Sequence, residues 1–464
     1  MSRLLADWTF NLSHSDLPDT VVEKMKAVIL LHLVGTMMGY QHPHAREVAD
    51  AVRGVVPGRD GATIFGDGGH ATREGATIAN CAIVHLGHLM DSFRMLTHPG
   101  RVLIPVAFVN AEIEDKTFND MLTALAAGYE VTCRLAEDFV PAVSARGFRP
   151  APVFATMGAA VVSGKLLGLS GESLTTAIAV AANCASGLNE AGRTGGDDTL
   201  VHDLNAARQG NFAGMMAQMG QVTGSETMLE GDAGFFKAFT GTSDGRVSHS
   251  FGDVRQVDME SITVGLGTEY RLMQVIFKIY ETAGFNQPVI ELLRELLATH
   301  AITADKIANI TISVNYLETR YPSPESPRYA DSSLAEAGST HYFAAYVAVH
   351  GDYPVVGAGG AQHRPPHDPK VMEFASTHVR LVGVHGQQMF SPSISLTLTN
   401  GQTISGTYPC ERMEWDYAEL VRRLESCIPG LPGGRERFDR LVEMVANADG
   451  RTSVRDLIDA TRVG

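Results

Sequence analysis

The chain has 464 residues, a net charge of -15 and no block of lysine or arginine able to follow a phosphate backbone, which excludes nucleic acid as a partner. Its length exceeds what one hydrophobic core organises and predicts two domains. Its five cysteines (Cys81, Cys133, Cys184, Cys410, Cys427) lie far apart without a C-x-x-C pair, which excludes a disulfide framework and a zinc knuckle.

Met1 to Phe10 has no basic stretch followed by an apolar run, and no apolar run reaches about 18 residues, so a cytoplasmic, non-membrane protein is expected. From Asp19 onward Val21, Val22, Met25, Val28, Ile29, His32 and Leu33 recur at three- and four-residue spacing and predict a first helix. Further helices are predicted over Pro43 to Arg53, Glu74 to Leu89, Val102 to Ile113, Phe118 to Leu135, Ala151 to Leu167, Gly171 to Gly187 and Ala206 to Met219. Together they read as an antiparallel helical bundle. Its density of Ala and Gly, as in Gly158-Ala159-Ala160, demands close helix approach to compensate for small side chains.

The pattern changes near Gly265. Ile307 to Tyr316 alternates apolar and polar positions with β-branched residues, as a half-buried strand does. His378 to Val384, and Ser393 to Leu398 joined through Asn400-Gly401 to Thr403 to Thr407, predict further strands. Ala335 to His350 and Pro369 to Ser376 read as helices between them, and Pro322 to Pro327 as a lid or a linker. Amphipathic helices return at Tyr417 to Cys427, Phe438 to Asn447 and Ser453 to Arg462. The expected fold is therefore mainly α, a helical bundle (1–265 and 409–464) with a smaller α+β domain (266–408) built on an antiparallel sheet.

Two polar stretches, Thr97-His98-Pro99-Gly100 and Arg146-Gly147-Phe148-Arg149-Pro150, each precede a predicted helix. Unpaired N–H groups and the helix dipole favour a carboxylate at such a terminus, and an imidazole with two guanidiniums would make that preference specific. In the bland alternative His98 is a cap and Arg146 and Arg149 are solvated. The nucleotide-binding glycine patterns and the serine nucleophile elbow are absent, and Gly66-Asp67-Gly68-Gly69 reads as a turn. His85 and His88 share one face of a predicted helix with metal-compatible spacing, but no third ligand is evident, so no metal and no cofactor is expected. Acid–base chemistry is what remains.

The order of motifs resembles the MmgE/PrpD family: His98-Pro99-Gly100, Gly128-Tyr129-Glu130-Val131 with Arg134-Leu135, Arg146-Gly147-Phe148, Ala185-Ser186-Gly187-Leu188, His202 before Ala206-Ala207, Leu229-Glu230-Gly231 with Gly234-Phe235-Phe236, and Lys278 with Tyr280. That family includes 2-methylcitrate dehydratase, cis-aconitate decarboxylase and iminodisuccinate epimerase, which act on small polycarboxylates without a redox cofactor. The resemblance implies a cleft between the two domains and a homodimer. Several positions depart from the dehydratase pattern. His88-Leu89-Met90-Asp91-Ser92 replaces an Asp-rich segment, Arg149 stands in place of a histidine, Thr199 in place of a lysine, and Gln287 in place of a histidine.

Such chemistry places charge on a carbon next to a carboxylate, which needs cationic stabilisation. A guanidinium binds carboxylates in bidentate fashion and stays charged, so Arg149 reads as a binding group, with Gln287 and Arg146 as further substrate contacts, Arg146 alternatively anchoring its loop, and Asp91 and Ser92 as groups that orient His98 or the substrate. His98 and Lys278 form the leading proton-transfer pair, with Tyr280 and His202 in reserve. The alternatives are a surface ion pair for Lys278 and a buried, hydrogen-bonded imidazole for His202. A dehydratase needs an acid to expel hydroxide, whereas an epimerase needs only two groups on opposite faces of one carbon. The depleted set therefore favours epimerisation of an iminodisuccinate-like substrate, with a 2-methylcitrate dehydratase-like or cis-aconitate decarboxylase-like lyase as the alternative.

Overall fold

The structure, a computed structural model, describes residues 1–53, 61–328, 338–357 and 368–463. At its centre lies the Pro150–Leu166 helix, buried at every position except Lys165 and surrounded by the helices Pro99–Ile113, Phe118–Ala136, Gly171–Cys184 and Thr199–Gln218. The small residues act as expected. A Cβ on Gly158 would lie 2.0 Å from Thr132 Oγ1, and one on Gly87 would lie 2.1 Å from the Gly35 carbonyl oxygen, so main chains touch where a side chain would hold them apart. Caps set the helix starts: Thr117 and Asp120 form a reciprocal box before Phe118–Ala136, and Ser170 accepts from Ser173 N before Gly171–Cys184.

Several helices differ from the expectation. A helix also forms over Ser2–Asn11, and the one expected from Ala206 starts at Thr199. The helix expected to reach Leu89 spans Arg73–Leu86, because the chain turns left-handed at His88 (φ 57°) and enters the strand Met90–Ser92. That turn takes His85 and His88 off a common helix face, which removes the metal-like pairing. His85 instead bonds to Asp203, and His88 faces Glu281 at 3.5 Å.

In the smaller α+β part, Ile307–Asn315, Ser393–Leu398 and Thr403–Thr407 follow the expected strands. The sheet order is Val379–Val384, Ile307–Asn315, Ser393–Leu398, Thr403–Thr407, and the first pair is parallel, with Ile310 opposite Val379. The sheet is thus mixed, which corrects the antiparallel sheet expected from the sequence; a crossover containing the helices Thr340–His350 and Pro369–His378 joins the parallel pair, the arrangement such pairs require. The helix Asn286–Thr299, unmarked in the sequence reading, packs on the last two strands and on Thr340–His350. Residues 335–337 of the helix expected from Ala335 lie outside the described residues. The C-terminal helices Tyr417–Leu424 and Gly434–Ala446 return to pack on Asp19–Gly39, where Lys26 Nζ donates to the Ala446 carbonyl at 2.7 Å. Among the described residues no helix is long and apolar enough to cross a membrane.

Candidate active site

A two-stranded antiparallel ribbon builds the site. Met90–Ser92, between the first polar stretch and the preceding helix, pairs with Ile276–Lys278 so that Met90 lies opposite Lys278 and Asp91 opposite Phe277. Gln287 braces the second strand: its Nε2 donates to the Phe277 carbonyl at 2.9 Å and its Oε1 accepts from Ile279 N at 3.0 Å, one bond on each side of Lys278. Fully buried and committed to the main chain, Gln287 is a brace and not the substrate contact expected of it.

Next to this ribbon lies a cavity of about 240 Å³ lined by Met90, His98, Arg101, Arg149, Lys278, Glu281 and Tyr321, among others. His98, Arg149 and Lys278, separated by up to 180 residues in the chain, therefore share one space. Arg101 and Glu281 were not among the residues expected from the sequence, although each had a signal: Arg101 stands three residues after His98 in the first turn of Pro99–Ile113, and Glu281 three after Lys278.

Asp91, expected to orient His98 or the substrate, has its carboxylate partners within the protein. Its carboxylate accepts from Gly100 N at 3.2 Å through either oxygen and from Tyr129 Oη at 2.7 Å. The N-terminus of the Pro99–Ile113 helix is thus occupied by the protein's own anion, and Gly100 N is not left for a substrate. The Asp91 carbonyl also accepts from His98 Nδ1 at 2.8 Å. This bond makes Nδ1 the protonated nitrogen and leaves the Nε2 lone pair free to take a proton. Ser92 is buried and donates weakly to the Arg94 carbonyl at 3.4 Å.

Three other expected residues are not on the cavity wall. Arg146 is exposed at the end of the short Val140–Ala145 helix. Tyr280, past the end of the strand Ile276–Lys278, is absent from the cavity lining and donates to Glu291 Oε1 at 2.8 Å. His202 lies half-buried beside Gly187, its Nδ1 without a hydrogen-bond partner.

The electrostatics are those of an anion pocket. Arg101 and Arg149 are both buried, and the Nε of each has no hydrogen-bond partner. Behind them Asp203, 3.6 Å from Arg101 Nη1, accepts from His85 Nδ1 at 2.7 Å. Burial pushes the Asp203 carboxyl up, but His85 and Arg101 outweigh it and hold the group ionised, while burial and Arg101 lower His85 to about 4. Burial, then Arg101 and Lys278, lower His98 well below the ordinary imidazole range. Lys278, 4 % exposed with Nζ 3.3 Å from Met90 Sδ, is brought to about 7 by burial and by Arg101, with Glu281 opposing. The cavity therefore holds two permanent cations, a neutral imidazole and an amine close to half-protonated at neutral pH, a set able to grip carboxylates and move a proton. Among the described residues no three His, Cys, Asp or Glu side chains are grouped to hold a metal ion.

Residues 3–247 match the MmgE/PrpD N-terminal domain, which takes in both polar stretches, Arg101 and Asp203. The cis-aconitate decarboxylase-like protein oryM of Aspergillus oryzae is 27% identical over 317 residues, 66% of this chain and 64% of that protein. The cis-aconitate decarboxylase of Aspergillus terreus is 25% identical over 63% of this chain and 59% of its own length. That of Homo sapiens is 31% identical over 167 residues, 34% of each chain. The match thus spans less than two thirds of the length of these relatives. Since the family match covers more than half of the chain, the protein belongs to the MmgE/PrpD family.

Proposed function

We propose that this protein is a cofactor-independent lyase of small polycarboxylates, with decarboxylation of a cis-aconitate-like substrate as the reaction the site suits best. The observation that carries this reading is the sharing of one buried cavity by Lys278, His98, Arg101 and Arg149. The two guanidiniums bind two carboxylates of the substrate and hold the third over the reacting carbon. When the bond to the departing carboxylate breaks, its electron pair passes into the adjacent unsaturated carboxylate, carbon dioxide leaves, and the Lys278 ammonium delivers one proton to carbon. The charge that develops on the substrate lies among fixed cations. Only one proton donor is needed, which fits the Lys278 amine brought to about 7 on the cavity wall, whereas dehydration also needs an acid for the departing hydroxide.

The expected epimerisation is not what the named relatives do: all three carry decarboxylase names, and they support the lyase alternative. The pairing of His98 with Lys278 keeps epimerisation as a second reading, since both groups line the same cavity. Proton NMR in deuterated water with cis-aconitate, 2-methylcitrate, citrate and iminodisuccinate separates the two. A new vinyl signal with release of carbon dioxide from cis-aconitate is the expected outcome. Loss of an α-proton signal with the skeleton intact would establish the epimerase, and silence across the panel removes both.

The homodimer belongs to the same proposal. Val201, Phe212, Met215 and Met219 lie exposed along the Thr199–Gln218 helix and just past it, an apolar stripe that a second copy would cover. Light scattering at the mass of a single chain would remove it.

A further inference from the structure

Beside the catalytic cavity lies a second, larger one of about 540 Å³, and the two share Arg149, Glu281, Thr282, Ala283 and Tyr321 as walls. The two adjoin at these residues; the smaller is called the inner chamber and the larger, more than twice its volume, the outer.

The lining of the outer chamber is built for a ligand. Phe285, Tyr321 and Phe343 line it with aromatic faces, the first two with ring centroids 5.6 Å apart. Two polar side chains on its wall are almost wholly buried yet incompletely bonded. His341 is 2 % exposed and neither ring nitrogen has a hydrogen-bond partner; Glu318 is 3 % exposed, with Oε1 accepting from Phe390 N at 2.8 Å and Oε2 unpartnered. A buried polar atom without a partner is costly to leave unbonded, so two such groups on one cavity wall mark where a ligand's polar atoms would go.

The charge of this chamber differs from that of the inner one. Burial raises the Glu318 carboxyl to about 8, so near neutrality it presents an O–H, and burial lowers His341 to a neutral imidazole with one donor and one acceptor. Arg149 and Glu281 line both chambers, and Arg328 and Asp197 line the outer one. Around His341 and Glu318 the outer chamber thus offers aromatic side chains and uncharged hydrogen-bonding groups, whereas His98, Arg101 and Lys278 line only the inner one.

We infer that the substrate is a polycarboxylate bearing an uncharged substituent several carbons long, whose apolar stem lies against Phe285 and Tyr321 and whose hydroxyl or carbonyl tip meets His341 and Glu318. This rests on the reading of the inner cavity as the polycarboxylate site and names which members of that class the protein takes.

The test compares kcat/KM for cis-aconitate with that for derivatives carrying a propyl or a 3-hydroxypropyl group on the methylene carbon. The expected result is a gain of tenfold or more for the 3-hydroxypropyl compound, with the propyl compound between. His341→Phe, which fills the chamber and removes both nitrogens, should bring that ratio close to one. Glu318→Gln, nearly isosteric and therefore the safer variant to fold, should lower the preference for the hydroxyl over the plain propyl tip. Turnover of cis-aconitate with equal or poorer turnover of both derivatives overturns the proposal and leaves the reading of the inner cavity standing. Turnover and binding of none of the three, with calorimetry as the binding readout, overturns both.

Discussion

Lys278 carries a measurable signature of its burial. Its ordinary value is about 10.4 and its value in the folded protein about 7, so between those pH values the unfolded chain holds a proton that the folded one does not. Stability therefore rises with pH across that window, and the cost of burying the charge is largest below about 7. Lys278→Met should raise the melting temperature at pH 6, by at least ~2 °C, and the advantage should shrink towards pH 10. The same variant should lose roughly 10²–10⁴-fold in kcat. A calorimetric scan that finds the variant no more stable at pH 6 than at pH 10, relative to wild type, contradicts the buried amine. His98→Asn separates position from chemistry: its amide still donates to the Asp91 carbonyl, so the loop should hold while kcat/KM falls about 10²-fold or more. Full activity in that variant would assign His98 a structural task only. His98 and Lys278 were legible as residues because a histidine before a helix and a lysine in an apolar stretch are chemically conspicuous. The bonds of the Asp91 carboxylate to Tyr129 and Gly100 were not legible, because no local pattern ties those residues to it.

At the level of elements, the ribbon of Met90–Ser92 and Ile276–Lys278 aims Lys278, and Gln287 supports it. Gln287→Leu leaves the Ile279 amide and Phe277 carbonyl without their bonds inside the protein, at a cost of about 2–4 kcal/mol, and should raise KM and lower kcat together because Lys278 loses its register. Urea unfolding with a midpoint equal to wild type would show that the brace bears no weight. Gly87→Ala tests the close approach of helices: the new methyl would meet the Gly35 carbonyl, a main-chain atom that no rotamer change can move, and a loss of ~1–3 kcal/mol is expected from the same unfolding measurement. The long helices and the three longer strands were legible because periodicity is local and these elements bury one face over many residues. The three-residue strands of the ribbon were not, since three residues show no alternation, and their pairing lies across more than 180 positions. The parallel pairing in the sheet escaped for a related reason: strand direction depends on the crossover between strands and leaves no mark within either one.

Across the whole molecule, the segment Pro322 to Pro327 joins the sheet side to the helices. Asn189 Nδ2 donates to the Pro322 carbonyl at 3.1 Å and Ser323 Oγ to the Ser144 carbonyl at 2.8 Å, while Tyr321 just before it lines both cavities. The lid or linker of the sequence reading is thus a latch in its contacts. Removing both side chains, as Asn189→Ala with Ser323→Ala, should cost about 1–3 kcal/mol in total and speed hydrogen exchange at residues 321–328, with KM rising more than kcat falls. Unchanged exchange there would show that the latch is held by other contacts. The sequence by itself determined the mainly helical class, the tight small-residue helices and the smaller α+β part, because composition, periodicity and residue type are properties of short stretches. Only the tertiary structure decided which cations share a cavity, that Tyr280 turns to Glu291, and that Asp91 fills a helix terminus. Those outcomes depend on pairings between distant segments, and in a buried site the charge state of each group is set by neighbours that the chain supplies from elsewhere.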